Sequence, residues 1–261
     1  MDNAWTGLAW DSEFFGFPTA RILPPRLGAT GLEVILEEMR SAGVVLAYWA
    51  ADPLDPSSDI AAEAHGGFPA DDRITFVRDL GNSPPAQAVH ALPFFIAPLA
   101  EADKARWKEP LAELGLRSGM HSRFRADPRF PPEAFRRLYA EWLRKSLTGE
   151  RADAVLVASR PAGLGEDGPE VQGLVTVTAR GGEGDIGLLA IAEGCEGRGL
   201  GTALATAALE WFFHAGCGRA RVVTQGRNKG ACRVYAKAGF GVERREEVHH
   251  FWLADLPVTR T

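Results

Sequence analysis

Cysteine is scarce in this chain. Its three residues, Cys195, Cys217 and Cys232, make an odd set with no CxxC pair. Neither a disulfide framework nor a zinc site of the usual spacing is supported, and a reduced compartment is expected. Long apolar runs are missing too. The most hydrophobic stretches, VVLAYWAA and ALPFFIAPLA, are short or broken by proline, well under the ~18 residues of a membrane span. The opening residues, MDNAWTGLAWDSEFF, lack a basic segment followed by an apolar one, so a cytoplasmic protein is expected. Basic residues are not in excess: 29 Lys and Arg against 34 Asp and Glu leave a net charge of −5, which argues against nucleic acid as a partner. Internal repeats and low-complexity tracts are absent as well.

What is present is the material of a globular α/β protein. The 261 residues, 46 % hydrophobic and 24 % charged, suffice for a substantial core. Over residues 1–80, TARILPP, VVLAYWAAD and RITFVRDL read as strands, and GLEVILEEMRSAG and SDIAAEAHGGF as helices. This is a small N-terminal α/β domain that sets Asp71 and Asp72 at the mouth of a strand. GNSPPAQ carries the turn formers of a linker, placed at 81–90. A second domain over 91–261 begins with the helices DKARWKEPLAELGL and PEAFRRLYAEWLRKSL; the latter puts Phe135, Leu138, Trp142 and Leu143 on one face. Three strands follow (ADAVLVAS, VQGLVTVTAR, GDIGLLAIA), the first two joined across RPAGLGEDGPE and the third entered through GEGD. TALATAALEWFFHAGC and NKGACRVYAKAGF are helices, RARVVTQG lies between them as a strand, and EEVHHFWLADL alternates as a last strand. The expected sheet is mixed and mostly antiparallel, with flanking helices.

Between the third strand and its helix stands GCEGRGLGTAL, with Gly197, Gly199 and Gly201 at alternate positions. Bare backbone at a helix start suits an anion, because unpaired N–H groups there hold phosphate and glycine lets it approach. A tight connecting turn is the plainer alternative. A nucleotide P-loop would need GxxxxGK[ST], and no Lys-Ser or Lys-Thr follows. A dinucleotide fingerprint would need GxGxxG after the first strand of a βαβ unit, whereas the spacing here is GxGxG. A different phosphate carrier is required.

GLLAIAEGCEGRGLGTAL, followed by RNKGACRVYAKAGFGVERREEVHHFWL, resembles the two motif regions of the GNAT acyltransferases, which use acetyl-CoA. The resemblance implies the GNAT fold for the C-terminal domain and acetyl-CoA as acyl donor. The family's phosphate loop, Gln/Arg-x-x-Gly-x-Gly/Ala, corresponds here to Glu196, Gly197, Arg198, Gly199, Leu200 and Gly201, with Thr202 following. Glutamate at the first position departs from that pattern. By the same resemblance the backbone of Leu188, Leu189 and Ala190 pairs with the pantetheine arm. The pattern N-x-x-A-x-x-x-Y-x-x-x-G-F falls on Asn228, Ala231, Tyr235, Gly239 and Phe240. It implies that Asn228 contacts the arm and Tyr235 stands beside the sulfur. A phenol of pKa ~10 is protonated at neutral pH and suited to protonate the leaving thiolate; a packed core tyrosine is the alternative.

WDSEFFGF from Trp10, SRFRADPRFP from Ser122 and YAEWLRKSL from Tyr139 are similar to the TDP-fucosamine acetyltransferase group, which implies N-acetylation of a nucleotide-linked 4-amino-4,6-dideoxy sugar. The RPAGLGEDGPE loop and a longer stretch before His121 depart from that group. Direct attack by the amine is expected, with the Leu188–Leu189–Ala190 amides polarising the carbonyl. Asp72 follows the GF turn where the related enzymes carry a carboxylate, and is the expected base; Asp71 is a neighbour of equal chemistry. Gln225 is a candidate for the same cleft, and Arg123 and Arg125 for the nucleotide diphosphate, with a strand-end residue and a surface pair as alternatives. Trp10, Phe14 and Phe15 suit packing better than an acceptor pocket. The cysteines read as packed residues. His249 and His250 point to opposite faces of the last strand and read as structural, with no metal ligands evident beside them. Other amines (an aminoglycoside, another small molecule or a protein amine) stay open as acceptors. So does a CoA-binding module without turnover, and so does a homodimer.

Overall fold

A computed structural model describes residues 3–81, 94–160 and 170–255. Apart from Gly81, the expected linker at 81–90 lies outside the described residues, as do positions 161–169 of the RPAGLGEDGPE loop. Along the chain run β1 (Trp5–Gly7), α1 (Ala9–Phe15), β2 (Thr19–Ile22), α2 (Ala29–Ser41), β3 (Leu46–Ala51), α3 (Pro56–Ala64) and β4 (Phe68–Asp79). Then come β5 (Phe95–Pro98), α4 (Glu101–Arg106), α5 (Lys108–Ser118), α6 (Arg123–Ala126), α7 (Pro132–Leu147), β6 (Ala154–Arg160), β7 (Glu170–Arg180) and β8 (Glu183–Ile191). The last are α8 (Leu200–His214), β9 (Arg219–Gln225), α9 (Lys229–Lys237) and β10 (Gly241–Trp252). The chain groups into two compact units. One comprises Met1–Arg73, Ala126–Arg129 and Arg245–Thr261, the other Ile74–Arg125 and Phe130–Arg244.

In the first unit β2 runs antiparallel to β1 and parallel to β3, and the end of β10 closes antiparallel on β3, His250 opposite Tyr48. Helix α2 buries Leu32, Ile35, Leu36 and Met39, the i, i+3, i+4, i+7 spacing of one helical stripe. These side chains pack with Trp49 and Phe251 in one apolar cluster. Trp49 is wholly buried, and its indole N–H donates to the Pro24 carbonyl at 2.7 Å. Strand β4 begins at Phe68, five residues before the expected RITFVRDL, so Asp71 and Asp72 lie inside the strand and not at its mouth.

Asp127 is the polar centre of this unit. It is 2 % exposed and accepts hydrogen bonds from His250 Nδ1 (2.7 Å), Trp252 Nε1 (2.9 Å) and the Arg129 amide (3.0 Å). Burial alone would raise its pKa, but the three donors outweigh it and hold the carboxyl below its ordinary range.

In the second unit β5, β6, β7 and β8 form an antiparallel run, and β9 joins β8 in parallel, the expected mixed and mostly antiparallel sheet. The β7–β8 connection is the two-residue turn Gly181–Gly182, with φ of +59° and +80°, rather than GEGD. Positive φ at both positions gives the primed turn that matches the strands' twist. The expected helix over DKARWKEPLAELGL is broken at Trp107 into α4 and α5. Helix α7 has the expected span, but Tyr139 and Ser146 join Phe135, Leu138 and Leu143 in its buried face while Trp142 is half-buried. Helix α8 buries Leu204, Ala205, Ala208, Leu209 and Phe212 in the main core with Val175, Val177 and Ile186.

Asp127→Asn is expected to lower stability by roughly 3 kcal/mol, because it removes a charge from a buried, fully hydrogen-bonded site. That is a Tm loss of about 6–12 °C. A depressed carboxylate stabilises above its unfolded pKa of about 3.9, and the effect is lost as pH falls through the lower folded value. Thermal melts from pH 7 downward should therefore show a constant gap between the two proteins that narrows below about pH 4.

Candidate active site

The site begins with a fault in the β7–β8 ladder. Val175 pairs with Leu189 and Val177 with Ile186, so Gly187 and Leu188 together oppose Thr176. The Thr176 hydroxyl sits in this bulge and accepts from the Leu188 amide at 2.8 Å. A Cβ at position 187 would lie 2.8 Å from that oxygen, which requires glycine there. On its other edge β8 pairs with β9 only from Glu183↔Arg219 to Ile186↔Val222, although the strands run on to Ile191 and Gln225. Past the bulge, Leu189, Ala190 and Ile191 line a cleft of ≈ 530 Å³.

The floor of this cleft comes from the glycine turn. Gly199 is the N-cap of α8 with φ +85°, and no side chain caps the helix. Its first N–H groups and its positive dipole end are therefore left for an anion. Glu196, Gly197, Gly201 and Thr202 line the cleft at this end. A Cβ on Gly201 would come within 2.9 Å of Val234 Cγ2, so glycine also sets how closely α8 approaches α9. The far wall is α9. Asn228 is its N-cap and its Oδ1 accepts from the Ala231 amide at 3.0 Å; Asn228, Gly230, Ala231 and Val234 all border the cleft.

Charge on the walls favours an anion. Arg117, Arg233 and Lys237 line the cleft against the acid Glu196. None of these three cations was singled out in the sequence. Arg233 and Lys237 stand four residues apart on α9, the i, i+4 spacing of one helix face, which carries the signal in retrospect. Arg117 has no such signal, since α5 is brought in by packing.

The other expected residues are distributed as follows. Leu188 and Leu200 are buried, so only their backbones are available, and the Leu188 amide is already taken by Thr176. Arg198 is exposed and not among the cleft-lining residues. Tyr235 is 4 % exposed, its ring 5.9 Å from Phe76 and 5.8 Å from Phe240. Burial, then the charges of Cys232 and Asp185, push its phenol well above the ordinary value, so it is protonated throughout the neutral range. Gln225 is half-buried at the end of β9, outside the cleft lining. Arg123 and Arg125 also stand apart from it, their guanidinium groups over the rings of Phe124 (4.7 Å) and Phe135 (5.9 Å).

In the first unit Asp72 is half-buried and Asp71 buried. Asp72 belongs to an acidic group that sequence reasoning missed. Burial first, then a hydrogen bond and charge from Asp59 and the charge of Asp72, raise the Glu247 carboxyl. His249 does have acidic companions, contrary to expectation: single donor atoms of Asp59, Glu247 and His249 lie within 4.8 Å of one another. Burial lowers the His249 pKa. Trp10 stacks on Phe14 (5.0 Å) and Phe15 on Phe17 (5.8 Å), a packed aromatic row. All three cysteines are free thiols.

Residues 120–240 match the model of the acetyltransferase (GNAT) family. The chain is similar to dTDP-fucosamine acetyltransferase of Escherichia coli O6:H1, 32 % identical over 134 residues, which are 51 % of this chain and 54 % of that protein. The match thus spans about half the length of that relative. In fold the chain is similar to a GCN5-related N-acetyltransferase from Sphaerobacter thermophilus (TM-score 0.65, 18 % identity, 97 % of this chain and 78 % of that one). It is also similar to a tandem GNAT protein from the clavulanic acid biosynthesis pathway (TM-score 0.57, 19 % identity, 93 % and 77 %).

Thr176→Val keeps the side-chain shape but leaves the Leu188 N–H buried without its acceptor, a loss of about 1–3 kcal/mol. Hydrogen exchange should show the Leu188 amide deprotected in this variant and restored in Thr176→Ser.

Proposed function

We propose that this chain, whose residues 120–240 match the acetyltransferase (GNAT) family, is a GNAT acetyltransferase that transfers the acetyl group of acetyl-CoA to the amine of a nucleotide-linked amino sugar of the 4-amino-4,6-dideoxyhexose type, by direct attack. The reading is carried by three features that line one cleft: the end of β8 beyond its pairing with β9, the uncapped start of α8, and the capped start of α9. A long ligand with an amide-bearing arm and a diphosphate suits them. Acetyl-CoA supplies the activated thioester. The amides of Gly197 to Thr202 and the α8 dipole take the diphosphate. Leu189 and Ala190 offer backbone to the arm, and Asn228, whose Oδ1 is committed to its own helix, offers its NH₂ group. Likeness to a dTDP-fucosamine acetyltransferase supports the amino-sugar acceptor.

Tyr235 holds a proton on its phenolic oxygen at any neutral pH and passes it to the departing sulfur. Burial weakens the phenol as an acid, and a thiolate in apolar surroundings is a stronger base than in water, so the two shifts run in the same direction. The family resemblance alone supports Asp72 as base and Arg123, Arg125 and Gln225 as acceptor contacts; none of the four is among the residues that line the cleft.

The test is CoA-thiol release from acetyl-CoA against TDP- and UDP-amino sugars, aminoglycosides and simple amines. Release with a 4-amino TDP-sugar is expected. Release on aminoglycosides or simple amines alone would replace the acceptor class, and tight acetyl-CoA binding without release on any amine would favour the binding module. Tyr235→Phe should lower turnover by ~10²–10⁴ while acetyl-CoA affinity stays within about twofold. Asp72→Asn should lose about 10² near neutral pH and recover at alkaline pH, where the amine is neutral without help. A loss equal at every pH would remove Asp72 as base.

A further inference from the structure

Arg117 is held at three points in the cleft. Its Nε donates to the Ile191 carbonyl at 2.9 Å, one terminal nitrogen meets Glu193 at 3.2 Å, and the other forms a close ion pair with Glu196. The first bond ties the guanidinium to the end of β8. The other two tie it to the turn that leads into α8. The two acids are far more exposed, 82 % and 51 % of their side chains against 28 % for Arg117, so water stands ready to take either carboxylate.

This arrangement is odd for an anion site. Glu196 opens a turn whose bare amides and helix dipole attract negative charge, and its carboxylate shares the cleft with them. While paired to Arg117 it is neutralised. It also occupies the donor best placed for a phosphate oxygen, because a guanidinium offers its paired N–H groups to carboxylate and phosphate alike.

We propose that Arg117 is the diphosphate-binding cation of this cleft and that Glu196 is its displaceable occupant: the entering diphosphate takes the guanidinium edge, Glu196 swings into solvent, and the Nε bond to Ile191 keeps the cation in place. The exchange is one ion pair for another with no proton moved. It favours a doubly anionic group, which also engages the α8 amides, over a weaker anion that cannot expel the carboxylate. The inference rests on the acetyl-CoA reading above and adds a residue and a selectivity device to it.

Titration calorimetry with acetyl-CoA and with acetyl-pantetheine, which lacks the diphosphate, tests it. Arg117→Met should weaken acetyl-CoA by roughly 10- to 100-fold, the scale of a charge-assisted contact, and leave acetyl-pantetheine unchanged. Glu196→Gln should tighten acetyl-CoA by about 3- to 10-fold, a gain that structural damage cannot mimic. Equal weakening of both ligands by Arg117→Met, or weaker acetyl-CoA binding by Glu196→Gln, would overturn the exchange and leave the acetyl-CoA reading standing. Failure of the unsubstituted protein to bind acetyl-CoA at all would overturn both.

Discussion

The β8–β9 ladder stops after four register pairs, and what the second unit can bind follows from that. A strand with a neighbour on each edge has no backbone to give a ligand. Here the Thr176 hydroxyl replaces a main-chain acceptor for the Leu188 amide, and Gly187 and Leu188 are absorbed as a bulge against β7. Bulges bend a strand and increase its twist. The bend turns the last residues of β8 away from parallel pairing while β7 continues to hold them, Leu189 by Val175 and Ala190 by Leu174. One edge of β8 is thus firmly anchored and the other lines a cleft. A buried hydroxyl and a glycine achieve this without strained non-glycine backbone, since every positive φ among the described residues belongs to glycine.

Elements were legible in the sequence where two signals agreed. Helix α7 begins at the double proline and keeps its period to Leu147, and α9 starts at a capping asparagine and stops before a positive-φ glycine. Single signals misled. The GF turn and a following acid pair suggested a strand beginning at Arg73, but tertiary pairing recruits Phe68 onward, and polar Asp71 and Asp72 go with it. Trp107, buried and with φ −99° and ψ 17°, divides what periodicity joined.

Of the cleft, the glycine turn and the α9 motif could be read because both are local in sequence. Arg117 could not, for it lies 74 residues from its Ile191 partner and 79 from Glu196. The buried Asp127–His250–Trp252 group escaped for the same reason: adjacent histidines in a strand show that one must face inward, but not that an aspartate more than 120 positions earlier waits for it. Sequence reading favours chemistry carried by consecutive residues. Chemistry assembled by packing is invisible until the packing is known.

That contrast bears on how far the turn's side chains can vary. The grip on an anion at a helix start comes from amides and the dipole, which any sequence with the same backbone supplies. What the backbone demands is glycine where φ is positive, at Gly197 and Gly199, and where Val234 closes on the helix, at Gly201. The exposed side chains of the turn, Glu196 and Arg198, are free to change charge so long as the cleft as a whole stays cationic, whereas Leu200 is buried in the core. Arg117, Arg233 and Lys237, drawn from α5 and α9, keep it so. An acid at Glu196 is then no defect in the site. A cation from another helix neutralises it, and the turn's grip on an anion rests on its backbone.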